Sequence, residues 1–166
     1  GGIGSQVAKL GKAFGMRVTG IRRNPQDDEH ADEVLGLDRF EELLPLTDYL
    51  VLALPDSSQT RDIINADILE KLNTSAMIIN VGRGTAINEV DLADALNNGK
   101  IAAAALDTTK IEPLDTNSSL WMAKNCFISA HDSAHSLLSL GRAFELFFQN
   151  IKNIKNSDRV INLYSE

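Results

Sequence analysis

Short apolar runs and longer stretches of helical periodicity take turns along the chain. Ile3, Val7, Leu10 and Phe14 recur at helical spacing, Gly15 stops that pattern, and Met16 to Ile21 follows as a strand. Tyr49 to Leu54 is a continuous apolar run closed by Pro55, the pattern of a strand buried on both faces. Asn65 is placed to cap a helix with Ile68, Leu69 and Leu72 on its inner side, and Ala76 to Val81 is the next strand. Asn88 caps another helix, with Glu89 and Asp91 in the first turn where the helix dipole favours anions; Leu92 and Leu96 face inward and Gly99 ends it. Ile101 to Leu106 and Cys126 to Ala130 are further strands, separated by a polar loop containing Pro113. A long helix carries Leu137, Leu140, Phe144, Phe147 and Ile151 on one stripe, and Val160 to Tyr164 is the last strand-like piece. Strand and helix in alternation predict an α/β fold with a parallel sheet. The polar stretch from Asn24 to Glu33 reads as a loop with solvated acids, and with no repeat or flexible linker the expected organisation is one domain.

Composition narrows the function classes. Of 166 residues 43% are apolar, enough for a buried core and too many for a disordered chain. Sixteen Lys and Arg against 23 Asp and Glu leave a formal charge of -7, which repels a phosphate backbone, so no nucleic-acid partner is expected. The longest apolar runs fall far short of the roughly 20 residues that cross a bilayer, so no membrane role is expected either. A single cysteine, Cys126, excludes an internal disulfide and a Cys-rich zinc site; in its apolar strand it reads as packed and inert. His131 and His135 lack a third ligand, so no metal is expected. The sequence carries no basic then apolar leader, and a cytoplasmic location is the expectation.

Gly1, Gly2, Ile3 and Gly4 read as the last four positions of G-x-G-x-x-G, or as a plain glycine turn before a helix. In the first reading, bare backbone lets a dinucleotide pyrophosphate approach the helix N-terminus. The strand that precedes this motif in a doubly wound sheet lies in the middle of it, and it is not in the sequence. The expectation is therefore a fragment or an edited copy of a longer protein, with a gap in the sheet. At the end of the second strand, where NAD enzymes carry an acid, Arg22 and Arg23 stand instead. Guanidinium forks suit a 2′-phosphate, which points to NADP with NAD possible.

Ile79 to Glu89, reading I-N-V-G-R-G-T-A-I-N-E, resembles the D-isomer-specific 2-hydroxyacid dehydrogenases. The likeness continues through Ala104 to Asp107, Glu112-Pro113-Leu114, Ser119-Leu120-Trp121 and Phe127 to His131. Within the family it looks most like the glyoxylate and hydroxypyruvate reductase branch. The resemblance implies a Rossmann-like nucleotide-binding domain lacking its first strand and its substrate domain. It implies a hydride transfer between a nicotinamide cofactor and a small D-2-hydroxy acid or 2-keto acid, in a homodimer. Reducing a 2-keto acid needs a cation for the carboxylate and a proton for the carbonyl oxygen. By resemblance Arg83 is the cation, His131 the acid, and Glu112 the carboxylate that keeps the imidazole protonated. The family's cofactor positions fall on Asp107 at the nicotinamide end and on Pro55, Thr60, Val81 and Gly82, beside Gly1, Gly2, Ile3, Gly4, Arg22 and Arg23. Trp121 either shapes the substrate pocket or covers the sheet, with cover preferred.

The chain also departs from the family. Ala130 replaces a common proline before His131, loosening that loop, and Asp132 offers the imidazole a competing carboxylate. Thr108 to Ile111 is atypical before Glu112. The isolated chain is expected to be inactive, because a closed cleft needs both domains. A rival from another class is a non-catalytic nucleotide-sensing or corepressor-like module of the same fold, favoured by the shortened glycine motif, Ala130 and Asp132. A formate dehydrogenase is disfavoured by glutamate rather than an amide at position 112.

Overall fold

A computed structural model of the protein describes residues 1–161 and divides into two compact units, Gly1–Ala130 and His131–Glu166. The first unit opens on helix α1 (Gly2–Ala13), as the periodicity predicts. Gly15 takes the left-handed φ of 77° that ends it, and the Met16 amide donates back to Gly11. Strand β1 is Thr19–Ile21, shorter than expected, and pairs in parallel with β2 (Glu33–Leu35). Only the first residue of β2, Glu33, falls in the predicted loop and the sequence assigns no element to Val34 and Leu35; three residues are too few to show a period.

After a short helix α2 (Phe40–Leu43) come β3 (Tyr49–Leu52), α3 (Ala66–Lys71), β4 (Met77–Asn80), α4 (Glu89–Asn97), β5 (Ala103–Leu106) and β6 (Cys126–Ile128). Each predicted strand of this sheet is present but shorter than its apolar run. The parallel order β3-β4-β5-β6 forms one sheet and β1-β2 another.

Both predicted caps form. The Asn65 side chain accepts from the Ile68 amide and that of Asn88 from the Asp91 amide. Asp91 also accepts the Ala66 amide, so one acid in the first turn of α4 closes the start of α3. Ile64 and Ile87, both buried, form a bridge between the segments leading into these helices.

The core lies on one face of the larger sheet. Leu52, Ile78, Ala104 and Leu106 pack with Ile68 and Leu69 of α3, with Leu92 and Leu96 of α4, and with Leu120. Each fully buried aliphatic side chain here contributes about 1.5–3 kcal/mol. The alternate residues, including Met77, Ile79, Ala103 and Ala105, are only half-buried, so the strands are not sealed on both faces as their continuous apolar runs implied. Trp121 is 54% exposed while its neighbour Leu120 is buried, which corrects the expectation that the indole covers the sheet. Cys126 packs against the core, and burial pushes its thiol up to about 11, in keeping with an inert cysteine.

The second unit contains α5 (Ser139–Lys155), whose apolar stripe exists as predicted but stays exposed within the unit. Asn150 exchanges two hydrogen bonds with the Ile161 backbone, and Val160 and Ile161 form no strand. The rest of the Val160 to Tyr164 reading lies outside the described residues. Among the described residues no helix is long and apolar enough to cross a membrane.

Candidate functional site

Among the described residues no side chain caps the N-terminus of α1, and the Ser5 amide is the first to find a partner, the Gly1 carbonyl, at 3.0 Å. A Cβ added at Gly1, Gly2 or Gly4 would meet no atom within 4 Å, so packing inside the chain gives no reason for glycine there. Arg22 is half-buried and Arg23 exposed at the end of β1. The ion pairs of this region run instead from Lys12 to Asp32 and from Arg17 to Glu33. Beside Arg23 an open cleft of about 750 Å³ is lined by Pro25, Gly36, Leu37, Asp38, Arg39 and Gln59. These residues follow the C-terminal ends of β1, β2 and β3, where open α/β sheets receive ligands.

Two acids of the loop between β1 and β2 are not solvated bystanders. Asp32 accepts from the Val18 amide at 2.7 Å and from Lys12 at 2.6 Å. Asp28 accepts from the Ser5 hydroxyl at 2.5 Å and the His30 amide at 3.0 Å. The Ser5 bond, then the His30 amide, hold the Asp28 carboxyl below its usual range.

Pro55 and Thr60 belong to one closed turn. The Thr60 hydroxyl donates to the Pro55 carbonyl at 2.7 Å and accepts the Ser57 amide at 3.0 Å. Asp56 takes both arms of Arg61, at 2.9 and 3.0 Å, and the Thr85 hydroxyl at 2.9 Å. These partners, Arg61 foremost, lower its carboxyl below the ordinary value.

Arg83 sits on the tight turn that leaves β4. The Asn80 side chain, wholly buried, accepts the Gly82 amide at 3.0 Å and donates to the Arg83 carbonyl at 3.1 Å. Val81 is held by its amide bond to Leu52. A Cβ at Gly82 would lie 2.6 Å from the Leu54 nitrogen, and one at Gly84 would overlap the Thr109 carbonyl group. The turn is therefore wedged between two backbone segments while the Arg83 side chain stays exposed, its Nη1 donating to Gly82. The same Thr109 donates its amide to Glu112 Oε1 at 3.1 Å. The structure thus brings the Arg83 turn against the loop that carries Glu112. Sequence reasoning missed Asn80; the available signal was an amide at the inner end of an apolar strand just before G-R-G, a group that needs partners once buried.

Asp107 is buried after β5 and accepts the Ser129 hydroxyl at 2.7 Å. Its neighbour Thr108 is 3% exposed, and its hydroxyl has no hydrogen-bond partner. Thr108→Val removes that orphaned hydroxyl at nearly constant shape and is expected to stabilise the chain by about 1 kcal/mol. A urea titration showing an unchanged or lower midpoint would contradict this.

His131 opens the second unit, exposed and with a left-handed φ of 55°. His135 follows in a turn, its amide bonded to Asp132, and not on a helix shared with His131 as the spacing allowed. Among the described residues no group of three or more His, Cys, Asp or Glu is placed to hold a metal.

Comparison with known proteins agrees with this geometry. Residues 1–133 match the model of the D-isomer specific 2-hydroxyacid dehydrogenase, NAD binding domain. The chain belongs to this family. Human glyoxylate reductase/hydroxypyruvate reductase is 39% identical over 132 residues, covering 79% of this chain and 40% of that protein. A family member from Aeromonas salmonicida superposes with a TM-score of 0.88 at 34% identity, over 99% of this chain and 53% of that one. The NADPH-dependent glyoxylate/hydroxypyruvate reductase of Sinorhizobium meliloti, solved with NADP and sulfate, does so with a TM-score of 0.88 at 28% identity, over 99% and 53%. The chain spans about half the length of the curated relatives it matches. As a dehydrogenase nucleotide-binding domain its parallel sheet is Rossmann-like, and the uncapped first turn of α1 offers free amides of the kind that suit the diphosphate of a nicotinamide nucleotide.

Proposed function

We propose that the chain is the nucleotide-binding part of a D-2-hydroxyacid dehydrogenase that prefers NADP and acts on a small acid such as glyoxylate or hydroxypyruvate. The observation that carries this reading is the Arg83 turn, which Asn80, Gly82 and Gly84 fix while leaving the guanidinium exposed. Such a fork holds a carboxylate in one orientation and polarises the adjacent keto group. By resemblance to the family, His131 is the residue that donates the proton the developing oxyanion requires, and Glu112 is the acid assigned to accompany it. The nicotinamide group, when bound, supplies the hydride; the uncapped amides of α1 hold its diphosphate, and Asp107 borders its ring. A substrate domain outside this chain closes the cleft, and the reading includes a homodimer in the cytoplasm.

NADP preference draws on Arg22 and Arg23, and the related Sinorhizobium reductase holds NADP. Fluorescence titration of the 166-residue chain should show tighter binding of NADPH than of NADH. With Arg22→Ala and Arg23→Ala combined, NADPH affinity is expected to fall about 10- to 100-fold, as two charge-assisted hydrogen-bonding groups are lost, and NADH affinity by far less. Equal losses for the two nucleotides, or a clear NADH preference in the unaltered chain, would remove the assignment.

A further inference from the structure

Asp28 meets the nucleotide site from the loop after β1. Its Oδ2 is bound by the hydroxyl of Ser5, in the opening turns of α1, and its Oδ1 by the His30 amide. Arg22 lies within its electrostatic reach. Both oxygens are therefore held, and the carboxylate cannot swing away from α1 without giving up a hydrogen bond. Uncapped amides and guanidinium groups attract phosphate, yet an acid is tied to α1 through Ser5 and interacts with Arg22.

We propose that Asp28 is a cofactor-discriminating residue: its fixed negative charge between Ser5 and Arg22 opposes a 2′-phosphate and restrains the preference for NADP over NAD. The proposal rests on the reading of Arg22 and Arg23 as the 2′-phosphate site. A phosphate monoester brings a charge of about -1.5 to -2, whereas the ribose hydroxyl of NAD brings none, so a nearby carboxylate penalises one nucleotide and not the other. Asp28 also draws on Arg22, which must serve the phosphate and the acid together. Ser5 acts by holding the carboxylate in place and carries no discriminating charge.

Asp28→Asn tests the charge with little change of shape, since the amide oxygen can accept from His30 and the amide nitrogen can donate to Ser5. In titrations of the 166-residue chain, the NADPH dissociation constant is expected to fall about three- to tenfold and that for NADH to stay within about twofold. Asp28→Lys should move the NADPH value further in the same direction. Ser5→Ala, which keeps the charge but removes one of its two anchors, should move the ratio of the two constants in the same direction as Asp28→Asn and by less. The proposal is overturned if Asp28→Asn leaves that ratio unchanged, if NADPH binding weakens, or if both nucleotides tighten alike. Should the double arginine variant lose its NADPH preference while Asp28→Asn changes nothing, the arginine reading stands and this inference alone fails. Should the arginine variant keep its preference, or the unaltered chain bind neither nucleotide, both fail together.

Discussion

Alanine at position 84 is expected to destabilise the protein by about 3 kcal/mol or more, the upper range for forcing atoms into a filled interior. The added methyl group would occupy the space of the Thr109 carbonyl group, with the Lys110 nitrogen only 2.5 Å away. Neither atom belongs to a side chain that can rotate aside, so the two backbone segments must separate. That movement would also disturb Glu112, which is tied to Thr109. Gly2→Ala and Gly4→Ala are the controls. Their methyl groups meet nothing within 4 Å, and within α1 alanine is favoured over glycine by about 0.5–1 kcal/mol. Urea unfolding of the three variants checks this, and similar midpoints for positions 84 and 4 would contradict the packing argument.

Arg83→Ala should have the largest effect on turnover. In the two-domain enzyme proposed above, kcat/KM for a 2-keto acid is expected to drop about 10²- to 10³-fold, the loss that follows when a buried carboxylate is left without its charged partner. NADPH affinity should change far less, because Arg83 stands on the turn after β4 and not on α1 or β1, and stability should be unchanged, because the side chain is exposed. Arg83→Lys keeps the charge but not the planar fork and should recover only part of the rate. Steady-state kinetics decide the matter: near-normal kcat/KM in the alanine variant would remove Arg83 from the mechanism.

Long apolar patterns carried the fold well. The helices beginning at Ala66 and Glu89 announced their caps through Asn65 and Asn88, because a cap is a local bargain between one side chain and the next turn. β2 escaped notice since Glu33-Val34-Leu35 is too brief for a period and its pairing partner Thr19-Gly20-Ile21 lies across the loop. The hydrogen bonds of Asp28 and Asp32 are illegible in the sequence for a similar reason: their partners Ser5, Lys12 and Val18 are distant along the chain. For α5 the periodicity revealed a helix and its apolar stripe, but a stripe does not say what, if anything, covers it. At the site, Arg83 and Glu112 were named from resemblance. The contact between their loops through Gly84 and Thr109 is a product of chain crossing that no spacing encodes.

Among the described residues the buried apolar cluster runs from Phe40 to Leu120, in the larger sheet and the helices and loops packed on it. The segment before it, α1 with β1 and β2, is tied down by polar bonds and half-covered side chains. Within the first unit, resistance to local opening is therefore graded along the polypeptide, lower where the adenosine end of a nucleotide would rest than in the larger sheet. A ligand that touches both parts adds the cohesion that the interior withholds from the first, and occupancy and rigidity of that segment rise together.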